Sequence, residues 1–265
     1  MGQPLNSPPV YFTLVQARFN PLLNLAEYVR AIQDQMRKAG YPAYDVRTNI
    51  VMRVDMQDGK AIPQAVPNEQ YLFGNLEQTH GFVLGADALT FESSNYGTYE
   101  AFSGEFFKGL SLVHEHVHLD FTERLGLRYL DHVMPKPGES LEEYLVPQVL
   151  GLGGRLRGRV VHAFSETFSE VEQVRLRCRA LVQDGPLAFP PDLVTQALKV
   201  QQRFLTNQGV HATLDTDGFV EGREPFSVEK LAQQLDTIHE VIGDAFRATV
   251  TEHAMNVWSE PCLLS

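Results

Sequence analysis

Val117-His-Leu-Asp-Phe-Thr-Glu-Arg-Leu-Gly-Leu-Arg-Tyr-Leu-Asp-His-Val133 carries the clearest signal in the chain. Its apolar residues recur at every second position. Val117, Leu119, Phe121, Leu125, Leu127, Tyr129 and Val133 fall on one side, while His118, Asp120, Thr122, Arg124, Arg128 and His132 fall on the other. A period of two is the mark of a strand with one buried and one polar face. Pro135, Pro137 and Gly138 close it, and they make the best candidate boundary in the sequence.

Outward from this strand the elements alternate without regular βαβ units. On the N-terminal side, Val10–Phe19 reads as a strand between Pro8-Pro9 and Asn20-Pro21. Asn24 then opens a helix with Leu25, Val29, Ile32 and Met36 on one face, ended by Gly40. Strand patterns occupy Val46–Met56, Gln70–Asn75, Gly81–Leu84 and Ala88–Glu92, with a turn at Asp58-Gly59, before Thr98 caps a helix carrying Phe102, Phe106, Leu110 and Val113. On the C-terminal side, Ser140-Leu-Glu-Glu143 is a capping box. Strands are expected at Val160–Val171, Val174–Val182, Leu198–Leu205 and Val210–Leu214, and Asp215-Thr-Asp217-Gly218 reads as a hairpin turn. Ser227 precedes an amphipathic helix through Leu231, Leu235, Ile238, Ile242 and Phe246, and Thr251 caps a last short one. The order predicts an α+β fold. It is expected as two β-rich lobes, residues 1–135 and 136–265, each an antiparallel sheet packed on one or two long helices.

Composition narrows the function classes. The 265 residues are 43% hydrophobic and 21% charged, an ordinary globular balance. Twenty-two Lys and Arg against 33 Asp and Glu give a net charge of −11, which argues against a general nucleic-acid or anionic-membrane coat. Two cysteines make no disulfide framework, no apolar run is long enough to span a membrane, and Met1–Pro9 lacks the basic and apolar regions of a signal peptide. A cytoplasmic protein is expected.

Several motifs could carry chemistry. His114-Glu-His-Val-His118 matches H-E-x-x-H, in which two histidines one helical turn apart hold zinc and Glu115 polarises its water. The apolar period switches from helical to alternating within it, so the helix it needs is interrupted. As a strand, His114, His116 and His118 would share a face as H-x-H metal ligands. The competing expectation is a solvated helix end, and no metal or other cofactor is predicted. Arg124 and Arg128 flank Gly126 on the polar strand face, about 13 Å apart at roughly 3.3 Å per residue. They could bracket a large anion or a partner's acidic groups, or pair with carboxylates on neighbouring strands. Arg175, Arg177 and Arg179 alternate with Val174, Leu176 and Cys178, forming a second arginine face that could meet a protein or, locally, nucleic acid. Gly153-Gly-Arg-Leu-Arg-Gly-Arg159 adds arginines but no phosphate-loop fingerprint.

Three stretches together carry a resemblance: Pro8-Pro9-Val10 through Arg18-Phe19-Asn20-Pro21, Arg124-Leu-Gly-Leu-Arg-Tyr129, and Leu235-Asp-Thr-Ile-His239 with Phe246 and Thr251. The chain resembles, over nearly its whole length, a sporadically distributed bacterial family of uncharacterised proteins of about this size. His132 departs from the basic residue common there. The resemblance implies a bacterial α+β protein and transfers no catalytic residue. The reading that follows is a non-enzymatic binding or regulatory subunit of a complex, such as an accessory or defence system, with another protein as partner and no membrane. The alternatives are an anion-binding pocket between the lobes lined by Arg124, Arg128 and His118, and a zinc hydrolase built on His114, Glu115 and His118.

Overall fold

The computed structural model describes residues 5–57, 60–152, 155–157, 160–193, 198–206 and 209–260, with backbone alone for 51–57 and 60–67. Its elements run β1 (Val10–Phe19), α1 (Leu25–Lys38), β2 (Ala43–Gln57), β3 (Lys60–Gly74), β4 (His80–Leu84), β5 (Ala88–Ser93), α2 (Tyr99–Val117) and β6 (Phe121–Val133). They continue α3 (Leu141–Tyr144), β7 (His162–Val171), β8 (Val174–Asp184), α4 (Gln202–Leu205), β9 (Val210–Pro225), α5 (Val228–Thr249) and α6 (Glu252–Ser259). The fold is mixed α+β, and all its strand pairs are antiparallel.

The strands do not form two sheets. They join in a single nine-stranded sheet of order β2-β3-β4-β5-β1-β6-β9-β8-β7. The expected boundary near residue 135 is no break in that sheet, because β6 pairs with both β1 and β9. The halves nevertheless repeat one connectivity. Each begins with a central strand (β1, β6), and each returns beside it with the last strand of a meander (β5, β9). Each then continues into a long helix (α2, α5).

Side-chain alternation decides what each face buries. Val15, Ala17 and Phe19 of β1, Leu89 and Phe91 of β5, and Leu125, Leu127 and Tyr129 of β6 join one core with Leu110 and Val113 of α2 and Leu235, Ile238 and Ile242 of α5. Caps start these helices where the sequence places them. Thr98 Oγ1 accepts from Ala101 N, Ser227 Oγ from Lys230 N and Thr251 Oγ1 from Ala254 N. Asn24, by contrast, makes no side-chain cap bond.

Four local expectations need correction. Residues 117–120 are not strand: α2 extends through Val117 and His118 caps it at φ 50°, so β6 begins at Phe121. β3 starts at Lys60 rather than Gln70. Pro63 and Pro67 hid it, yet β4 reaches only Tyr71–Gly74, so these prolines face no second ladder that needs their missing N–H. Asp215-Thr-Asp217-Gly218 is no turn but the middle of β9, paired to β6 and β8. Gly218 is needed there because a Cβ would stand 3.0 Å from Ile238 and Ile242 of α5. Residues 198–201 are irregular, and α4 replaces the rest of the expected strand at 198–205. The Asp58-Gly59 turn, and Gly153, Gly154, Gly158 and Arg159 of the second arginine run, lie outside the described residues.

Candidate binding face

The second face of the sheet is where the sequence's polar positions gather, and it has two unlike ends. At one end β6 is buried on both sides. Tyr11, Phe12, Leu130 and Phe204 form a separate apolar cluster, against which Leu187, Phe189, Leu193, Leu198 and Val200 pack. Residues 187–193 and 198–204, between β8 and β9, therefore cover this end. Arg128 lies at its margin. Its Nε and Nη2 donate to the two carboxylate oxygens of Asp215 at 2.7 and 2.8 Å, and Nη1 and Nη2 reach Asp192 of the covering segment at 3.3 Å. Arg179 completes the cluster, donating to Glu166 at 2.7 Å and to Asp192 and Asp215 at 3.2 Å. Burial pulls the Arg128 guanidinium down, but Asp215 and Asp192 outweigh it and the net direction is up. Arg128 and Arg179 thus spend their forks on internal carboxylates.

Among the described residues, the other end carries no such cover. Across the strands, Arg18 of β1 stands opposite Arg124, which faces Glu221; Gln16 faces Gly126, which faces Phe219 and then Arg175; Arg128 faces Asp217 and then Arg177. Arg124 makes no hydrogen bond among the described residues. It lies 3.9 Å from Asp217, 4.0 Å from Glu221 and 4.3 Å over the Phe219 ring. Gly126 gives it room, since a Cβ there would stand 2.9 Å from Arg124 Nη1. Burial holds the Arg124 guanidinium below the usual arginine range, against the pull of Asp217 and Glu221. Burial likewise raises the Asp217 carboxyl, although Arg124 and Arg128 oppose it. Arg177 stacks 5.3 Å from the Phe168 ring, and its buried Nε has no hydrogen-bond partner among the described residues. Arg175 pairs with Glu221 at 2.6 Å and Arg18 with Asp87 at 3.3 Å. Arg124 and Arg177 are thus the members of this field whose guanidinium groups make no hydrogen bond among the described residues, and Asp217 is the acid between them.

The expected pocket of Arg124, Arg128 and His118 does not assemble as one group. Arg124 lines a small hollow of about 70 Å³ with Thr122, Gln173 and Glu224, which includes neither Arg128 nor His118. His118 sits at the end of α2, not on β6. The histidine motif is likewise occupied locally. His114 Nδ1 accepts from Leu119 N at 3.0 Å and its ring stacks on Phe226, while His116 Nδ1 donates to the Leu112 carbonyl at 2.9 Å. Among the described residues no cluster of three His, Cys, Asp or Glu is arranged to hold a metal ion. Cys178 packs against the main core, and burial raises its thiol.

No protein-family model and no curated protein matches this chain.

Sequence reasoning missed two groups. Asp192, which ties the covering segment to both arginines, lies in a Pro-rich loop with no periodic signal. The second group is a relay under α2 and α5: Tyr96 Oη meets Tyr129 Oη at 3.1 Å, and Tyr129 Oη meets His239 Nδ1 at 3.3 Å. His239 stacks on Tyr99 at 3.9 Å, and Tyr99 donates to Asp236 at 2.7 Å. Burial lowers the His239 imidazole and raises the Tyr129 phenol, so both are neutral at pH 7 and the relay joins the two halves by hydrogen bonds.

Proposed function

We propose that this chain is a non-enzymatic binding or regulatory subunit of a larger bacterial complex in the cytoplasm. It recognises an acidic surface of another protein through the uncovered end of its arginine face. One observation carries the reading: Arg124 and Arg177 lie on a sheet face that no described residue covers, and their guanidinium groups approach carboxylates only at 3.8 to 4.0 Å, without a hydrogen bond to any described residue. Such donors are matched by carboxylates arriving from outside, and a guanidinium already resting on Phe219 or Phe168 loses little freedom on binding. At about 70 Å³ the Arg124 hollow falls well short of the roughly 300–1,000 Å³ of a small-molecule pocket, which favours a macromolecular partner. Glu166, Glu170 and Glu221 interleave with the arginines, which disfavours the continuous charge of a nucleic-acid backbone.

The test is capture of partners from the native host with wild-type protein and with the double variant Arg124→Glu/Arg177→Glu. A reproducible partner lost at least tenfold by the double variant, at unchanged melting temperature, supports the reading. Equal recovery by both proteins, or no reproducible partner, overturns it.

A further inference from the structure

The sheet ends on one side in β7, and no described strand pairs with its outer edge. Natural edge strands are blunted by charged side chains (above all lysine), proline, bulges or short length. β7 carries two charges, Glu166 and Glu170, and none of the other devices. His162-Ala-Phe-Ser-Glu-Thr-Phe-Ser-Glu-Val171 contains no Lys, Arg or Pro, and it pairs with β8 at all ten positions without a register shift. It also leaves Phe164 56% and Phe168 54% exposed. The opposite edge strand, β2, carries Asp45, Arg47, Arg53 and Asp55.

We propose that β7 is the seam of a two-fold homodimer, in which β7 of a second copy adds antiparallel with Glu166 facing Glu166. The strand is self-complementary in this register. Phe164 falls opposite Phe168, Ser165 opposite Thr167 and His162 opposite Glu170, each twice by symmetry. Cross-strand aromatic and opposite-charge pairs of this kind stabilise antiparallel sheets. The one like-charge contact is softened from within, because each Glu166 already sits 2.7 Å from Arg179 and 3.8 Å from Arg177. A shift to Phe168 facing Phe168 would set Glu166 against Glu170 and Phe164 against Glu172. A shift to Phe164 facing Phe164 would leave only half of the strand paired. The self-paired register extends the sheet continuously across both copies and sets two arginine fields side by side. It does not depend on what those arginines bind.

Cysteine scanning reads the register directly. Facing residues of an antiparallel pair have Cα atoms about 4.5–5.5 Å apart, within disulfide reach. Under mild oxidation Glu166→Cys should give a covalent dimer on a non-reducing gel. Ser169→Cys should not, because its counterpart lies six residues further along, about 20 Å away at 3.3 Å per residue. Light scattering should give twice the chain mass for the wild type, and the monomer mass for Phe168→Glu with an unchanged circular-dichroism spectrum. A wild type that stays monomeric at 100 μM overturns the proposal. So does a dimer in which Ser169→Cys cross-links as readily as Glu166→Cys, or one that survives Phe168→Glu.

Discussion

Arg124 and Arg128 are the same residue type, four positions apart on one strand and on the same face of it, yet they live in different physics. Arg128 meets two carboxylates at hydrogen-bond distance, one from β9 and one from the covering segment. Arg124 meets two carboxylates only at 3.9 and 4.0 Å and rests on an aromatic ring. The difference is the cover. Where residues between β8 and β9 exclude water, an unpaired guanidinium would be costly, so pairing is complete. Where the sheet is open, solvent can serve the donors, and they stay available to a partner.

The comparison breaks most sharply at Arg128. Arg128→Ala should leave buried Asp215 with Arg179 as its remaining partner and cost about 3 kcal/mol, the low end of the range for removing one partner of a buried pair. Urea unfolding of the variant measures it, and a loss below 1 kcal/mol would contradict the pairing described.

Two buried groups, Asp131 and His132, lie further along β6 on its opposite faces. Burial and the nearby Asp215 raise the Asp131 carboxyl to about 7, so the folded state holds a proton that the unfolded state releases near pH 4. Its stabilising effect is full at low pH and is lost as pH rises toward 7. Burial and His211 lower the His132 imidazole to about 4, so its effect is present above pH 6.5 and lost as pH falls toward 4. The slopes oppose each other. Melting temperature should therefore climb between pH 4.5 and 6.5 in Asp131→Asn and decline over the same range in His132→Gln, each by on the order of a few kcal/mol in stability. Parallel profiles for both variants would refute the assignment.

Asp192→Asn sharpens the contrast at the cover itself. Asp192 is half exposed, so losing its charge on Arg128 and Arg179 should cost only about 1 kcal/mol. Hydrogen exchange should nevertheless rise first in residues 187–193. The smallest effect belongs to the open end. Arg124→Ala should change stability by no more than about 0.5 kcal/mol. Gly126→Ala should be almost as mild, because the added Cβ meets only the movable tip of Arg124. If either unfolds the protein, the open end is structural after all.

The alternation over 121–133 was legible because a strand's period needs no partner to be seen. So were the Thr98, Ser140, Ser227 and Thr251 starts, since a cap and its helix lie within one turn. The arginine positions of β6 and β8 were legible too, together with their common polar face. The Asp215-Thr-Asp217-Gly218 stretch misled because turn residues and a strand's charged face share a composition. Only α5 packing on Gly218 and arginines on the adjoining strands show it to be strand interior.

Local pattern was thus enough for most of the elements and for the α+β class, because each depends on neighbours a few residues away. It could not give the single sheet, the cover or the separate fates of Arg124 and Arg128. Those rest on contacts such as Arg128 with Asp192, 64 residues apart, and Arg128 with Asp215, 87 residues apart. Pairing over such distances leaves no period in the chain. Water is excluded from one end of the face and not the other only once the whole sheet has formed.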